Sequence, residues 1–217
     1  MKSINENGSL LNEKYITVRR TARATFEERR SIFIGHAGPF TDPDGAMDFV
    51  KKIKAEYSDA THNVYAYYLR GGAVARYSDD GEPQGTAGIP VLDVIKKSGC
   101  DDVCVVVTRY FGGTLLGAGG LVRAYTEAAK RALEAAEIVT YGSHTVFKII
   151  ATYADYQKIL HELNKINGIV DRTDFNESVE LVAAVKQELQ QAFIDVIGDI
   201  TAGRVNAEII GSRFDCI

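Results

Sequence analysis

Asp79, Asp80 and Glu82 lie almost side by side, and His62 stands where a paired strand could bring it to them. Carboxylates grouped in this way suit a hard cation. No second histidine follows at ligand spacing, however, and Asp-Asp-Gly-Glu-Pro also makes a solvated turn that caps the element after it. Cys100 and Cys104, if both lie on one strand, stand roughly 13 Å apart at about 3.3 Å per residue. They cannot share an ion there. Ser31, Ser78, Thr86 and Thr114 are scattered, and no G-x-S-x-G elbow occurs, so no nucleophile with its base emerges. The reading is of a chain with no catalytic residue, no metal and no cofactor. His62, Asn63, Asp79, Asp80, Glu82 and Thr86 form its candidate motif-loop site.

A second candidate is the stretch from Val103 to Tyr125. It opens with apolar, β-branched residues (Val103, Val105, Val106, Val107), as a strand buried on both faces does. After Thr108-Arg109-Tyr110-Phe111 come five glycines in nine positions: Gly112, Gly113, Gly117, Gly119 and Gly120. A helix follows, with Leu121, Tyr125, Ala128, Ala132 and Ala136 on one face. A buried strand, a glycine loop and a helix N-terminus together present backbone N–H groups to an anion. Arg109 and Arg123 bracket the loop, so the candidate anion or nucleic-acid site comprises Arg109, Tyr110, Gly112, Gly113, Thr114, Gly117, Gly119, Gly120 and Arg123. No G-x-G-x-x-G or G-K-[ST] signature is present. The Gly119-Gly120 step is expected to need positive φ. Arg109 has two possible roles, gripping an anion or pairing with Asp79, Asp80 or Glu82. Tyr65, Tyr67, Tyr68, Tyr77, Tyr110 and Phe111 lie near Arg70, Arg76, Arg109 and Arg123 in the sequence. Such a set stacks bases and pairs phosphates, or fills a core.

Elements must position these groups. Tyr15–Thr25 and Arg30–Gly38 read as strands, with Phe26-Glu27-Glu28-Arg29 as the connection. Asp42 is a candidate N-cap with Pro43 behind it, ahead of a helix with Ala46, Phe49, Val50, Ile53 and Tyr57 on its sheet-covering face. A strand through Val64, Ala66 and Tyr68 turns at Gly71-Gly72 into a hairpin partner over 73–77. The 78–88 loop leads into a short helix that buries Val91, Leu92 and Ile95 and ends near Ser98-Gly99. After Tyr141-Gly142-Ser143 the rhythm changes. Thr145–Ala151, a helix through Ile159 and Leu163, Ile169–Phe175, Val179–Val185, a helix through Phe193 and Ile197, and Val205–Ile210 give βαββαβ, a ferredoxin-like pattern. The fold class is α+β in two domains, 1–141 and 142–217.

The 217 residues are 46% hydrophobic and 25% charged, the composition of a folded globular protein. No apolar run approaches the roughly 18 residues of a membrane helix. Three cysteines, an odd number, suit a reducing cytosol rather than a disulfide framework. The net charge of −4 lies wholly in 142–217, with 7 basic and 11 acidic residues against 18 and 18 in 1–141. Residues 142–217 are therefore ill suited to wrapping a phosphate backbone.

Thr61-His62-Asn63, Asp79-Asp80-Gly81-Glu82-Pro83-Gln84-Gly85-Thr86-Ala87-Gly88 and Arg109-Tyr110-Phe111-Gly112-Gly113, continuing to Leu116–Tyr125, resemble the hallmark segments of the IMPACT/YigZ family. Arg30-Ser31-Ile32-Phe33-Ile34 resembles its early basic-Ser-x-Phe-Ile element. The resemblance covers nearly the whole chain. It implies a first domain of the elongation-factor-G domain-four and ribosomal-protein type, with a left-handed β-α-β crossover against the usual rule. It implies a second domain like the last one of elongation factor G. Eukaryotic relatives modulate translation, so the resemblance implies a binding factor linked to translation, with RNA, the ribosome or a translation-associated protein as partner. The alternative is an enzyme of small molecules or phosphate esters, with its pocket between the 78–88 and 112–120 loops.

Overall fold

The computed structural model describes residues 15–216. They form two compact units, Tyr15–Thr140 and the residues from Tyr141 onward.

The first unit runs β1 (Tyr15–Val18), β2 (Ala22–Glu28), β3 (Ser31–Pro39), α1 (Pro43–Glu56), β4 (His62–Leu69), β5 (Val74–Ser78), α2 (Gly88–Lys97), β6 (Val103–Tyr110) and α3 (Gly117–Ala135) into the start of β7 (Ile138–Ala151). Its sheet has the order β2-β3-β6-β4-β5, with every neighbouring pair antiparallel. β3 and β4 therefore run parallel on either side of β6, joined through α1. The apolar run of β6 explains its central place. Val103, Val105 and Val107 pack on α2 and α3 with Val91, Ile95 and Tyr125. Cys104 and Val106 face the other way, onto Ala46, Val50 and Ile53 of α1. Full burial of each such side chain stabilises by about 1.5–3 kcal/mol, and only a strand with helices on both faces collects this along its whole length. Asp42 caps α1, accepting the Gly45 N–H at 2.8 Å.

The expected strand Tyr15–Thr25 is instead two strands, and the expected connection Phe26–Arg29 is mostly strand. Arg19 N–H donates to the carbonyls of Ala136 (3.1 Å) and Glu137 (2.8 Å), which diverts the chain after β1; β1 pairs with β7. β2 then continues to Glu28 and turns into β3 through Arg29 and Arg30 alone, at φ 48° and 67°. Its charges read as a loop in sequence, but an edge strand tolerates charge on its open side.

The second unit adds α4 (Tyr153–Lys165), β8 (Ile169–Phe175), β9 (Val179–Lys186), α5 (Gln190–Ile200) and β10 (Ala207–Cys216) to β7. The element order is the expected βαββαβ, and the antiparallel sheet runs β10-β7-β9-β8. The last strand begins at Ala207, later than expected, and reaches Cys216. Phe147, Ile149, Ile159, Leu163, Leu181, Phe193 and Ile197 form its core. No helix among the described residues is long and apolar enough to cross a membrane.

Two expected results follow from this architecture. A chain truncated after Tyr141 keeps every strand and helix of the first core, so it should unfold cooperatively in urea; a featureless, non-cooperative melt would overturn its independence. His36 on β3 is buried, its Nε2 has no hydrogen-bond partner among the described residues, and its ring lies 5.1 Å from that of Tyr57. Burial lowers its pKa to about 4, with Arg23 acting in the same direction and Glu56 opposing. Between the ordinary value near 6.5 and about 4 the unfolded chain binds a proton that the fold refuses, so stability falls as pH falls through that window. His36→Phe should flatten that part of the stability–pH curve, and an unchanged slope would show that other groups set it.

Candidate functional site

The motif-loop residues are consumed by internal bonds. Asp79 accepts backbone N–H bonds from Gly85 (2.9 Å), Ala87 (3.1 Å) and Gly88 (2.8 Å). It thereby caps α2, whose N-cap position, Ala87, has no side-chain cap. Asp80 accepts the Asn63 N–H at 2.6 Å and pairs with Lys54, while its carbonyl lies 2.8 Å from His62 Nδ1. Asn63 Oδ1 in turn accepts the Thr108 hydroxyl at 2.7 Å. Thr86 donates its hydroxyl to the Pro83 carbonyl at 2.7 Å, closing the loop on itself.

Glu82 lies at the centre. Its carboxylate is buried and accepts from Arg109 Nη1 at 2.6 Å and the Tyr125 hydroxyl at 2.7 Å, with His62 Nε2 at 3.8 Å. Arg109 therefore takes the second of its two possible roles, the ion pair. Its guanidinium also reaches Ser31 Oγ at 3.4 Å and sits 5.5 Å from the rings of both Phe33 and Phe111. Ser31 Oγ accepts the Gly112 N–H at 3.1 Å, which ties the loop after β6 to the start of β3. Burial first, and then the Glu82 carboxylate, push the Tyr125 phenol far above its ordinary range, so it stays a donor. Strands β3, β4 and β6, the 78–88 loop and helix α3 thus meet on one carboxylate.

The glycines divide differently from expectation. α3 begins at Gly117, so Gly119 and Gly120 lie inside its first turns, and neither has positive φ. The left-handed positions are Gly113 (φ 81°) and Gly117 (φ 70°). Gly112 is the steric one: a Cβ there would collide with the Arg30 carbonyl and the Ser31 N–H. Tyr110 donates its hydroxyl to Asp59 (2.8 Å), and Phe111 N–H donates to Thr61 (3.0 Å). Thr114 and Arg123 are exposed, and Phe111 and Leu115 remain 45% and 81% exposed. Of the other aromatics, Tyr67 is wholly buried with Tyr65 stacked near it, a core role rather than a base platform.

The structure therefore separates two layers. His62, Asn63, Asp79, Asp80, Glu82, Thr86 and Arg109 form one internal network, while Gly113, Thr114, Gly117 and Arg123 lie outside it. Leu116 and Gly120 line a groove of about 420 Å³ whose opposite wall is Phe26, Glu28 and Arg29. The 78–88 loop is not that wall. Sequence reading missed Tyr125, Ser31 and Arg29. A phenol on the buried face of a helix was the available signal for Tyr125, since a buried tyrosine hydroxyl needs a partner.

Residues 29–133 match the profile of the Impact N-terminal domain, and residues 149–204 that of a domain of unknown function, DUF1949. A Bacillus subtilis protein named IMPACT family member YvyE is 36% identical over 194 residues, which is 88% of each chain. The chain belongs to the IMPACT family. IMPACT family member YigZ of Escherichia coli is 31% identical, over 82% of this chain and 88% of its own. Protein IMPACT of Xenopus laevis is 35% identical over 99 residues, 43% of this chain and 31% of the frog protein. A crystal structure titled as that of a hypothetical protein superposes with a TM-score of 0.57 at 29% identity, covering 93% of this chain and 99% of its own. The Impact N-terminal match contains Ser31, His62, Glu82, Arg109 and Tyr125, so the whole buried network lies within the segment shared with other IMPACT proteins.

Proposed function

We propose that this IMPACT protein is a non-catalytic, cytoplasmic binding factor linked to translation, engaging RNA, alone or within a translation component, through its first unit. One observation carries the reading. The groups that look reactive in sequence hold the fold together, while cationic and aromatic groups at the same end of the sheet face outward. Asp79, Asp80 and Glu82 spend their carboxylates on backbone N–H groups, Lys54, Arg109 and Tyr125. Arg30, Phe111, Leu115 and Arg123 are exposed around them. α3 starts there with no side-chain cap and no acidic residue in its first turn, which favours an anion over Gly117–Gly120. The link to translation comes from the family resemblance. Ultraviolet crosslinking in cells, followed by denaturing capture of the chain, tests the proposal. RNA should be recovered above the level of an unrelated acidic protein and should fall when Phe111→Ala and Leu115→Ser are combined. Background recovery together with turnover of a phosphate ester would replace this reading by the enzymatic one.

A further inference from the structure

The groove between the β2–β3 turn and α3 shows how such an RNA would be held. About 420 Å³ in volume, it has Arg29 on one wall and Arg123 on the other. Arg123 carries no hydrogen bond or ion pair among the described residues, and its Nη1 lies 3.7 Å from where a Gly119 Cβ would stand, so the guanidinium folds back along α3. Arg30, next to Arg29 in the turn, is likewise without a partner among the described residues.

Two carboxylates also line the groove and have to be set against these charges. Glu127 is committed to Arg131 at 2.6 Å. Glu28 approaches Arg29 to 3.9 Å with both side chains half exposed, and its charge offsets one of the arginines. With Arg131 counted beside Glu127, three guanidinium groups stand against two carboxylates, so one positive charge remains in surplus, borne by planar forks that match phosphate oxygens. The volume is that of a ligand site, larger than a lone phosphate needs.

Phe26 is the groove's one aromatic residue, and its ring already has partners. The ring stacks on Phe33 (centroids 5.2 Å apart, 18° between planes), and the Arg131 guanidinium lies 4.9 Å over it. A base entering here must compete with Phe33 and Arg131 for that ring, whereas a sugar–phosphate chain finds arginines on both sides.

We infer that this groove grips the phosphodiester backbone of RNA between Arg29 and Arg123 without reading its bases. The inference rests on the RNA-binding reading above. Fluorescence anisotropy with labelled U-only and A-only oligonucleotides of equal length, across a salt series, tests both. The two oligonucleotides should bind within about threefold of each other. Arg29→Ala and Arg123→Ala should each weaken both equally and reduce the salt slope by about 0.7, with an unchanged melting midpoint, since both side chains are exposed; Arg123→Lys should restore most of the slope. If the parent binds RNA and the alanine variants bind with the same affinity and slope, the groove is not the contact, while the RNA reading survives. No binding by the parent sinks both. A preference between the oligonucleotides that vanishes in Arg123→Ala overturns backbone-only recognition. Displacement by inorganic phosphate at matched phosphate concentration reassigns the groove to a small phosphorylated molecule and also overturns it.

Discussion

Glu82→Ala is expected to destabilise the first unit by about 3–5 kcal/mol, because it strands Arg109 as a buried cation. The Arg109 and Glu82 side chains are 6% and 3% exposed, and 2.6 Å separates their charged atoms. Removing the carboxylate also leaves the Tyr125 hydroxyl without its acceptor, and an unsatisfied buried donor costs about 1–3 kcal/mol. These two penalties overlap, so the sum is not additive. Replacing both charges, as Glu82→Met with Arg109→Met, should recover much of the loss, since an apolar pair of similar volume avoids the desolvation cost. Urea unfolding of the parent, the single variant and the double variant measures this. A single variant within about 1 kcal/mol of the parent would show that water reaches the guanidinium, and the account of the network would fail.

Gly112→Val should destabilise by about 3 kcal/mol or more, above the usual range for overpacking, because the colliding atoms are backbone. The obstacle is the Arg30 carbonyl and Ser31 N–H, which cannot rotate away as a side chain could. By contrast, Gly119→Ala meets only Arg123 Nη1, at 3.7 Å, from inside a helix. It should leave stability unchanged or raise it by up to about 1 kcal/mol. Thermal melts of the two variants check the pair. Equal midpoints would mean that the close approach at Gly112 relaxes freely.

Local chemistry was legible in the sequence and long-range pairing was not. A run of valines too short for a membrane favours a strand buried on both faces, because β-branched side chains suit a strand better than a helix, and β6 is one. Asp42-Pro43 carries its own capping geometry, so the start of α1 could be read directly. Arg109 could not be settled in the same way, because Glu82, Ser31 and Tyr125 come from three distant segments and only the fold decides which of them it meets. The glycines show the same limit. Density marks a turn, but whether a glycine serves φ, as at Gly113, or clearance, as at Gly112, depends on the strand lying across it. The end of β2 was hidden for a related reason: Glu27 and Glu28 look like a loop until the neighbouring strand shows that they occupy an edge.

The turn joining β2 to β3 bears on what the sequence has been selected for. Two-residue hairpin turns with both φ values positive favour Asn-Gly, because other residues crowd their own carbonyls there. This chain holds Arg29 and Arg30 in that conformation, at roughly 1 kcal/mol for each residue. Arg29→Asn combined with Arg30→Gly should therefore raise the melting midpoint and, on the proposed reading, weaken RNA binding in the same molecule. A variant that gains stability with affinity intact would deny the exchange. On that reading the hairpin is a place where the chain gives up thermal stability to keep two positive charges at its tip, as binding surfaces commonly do.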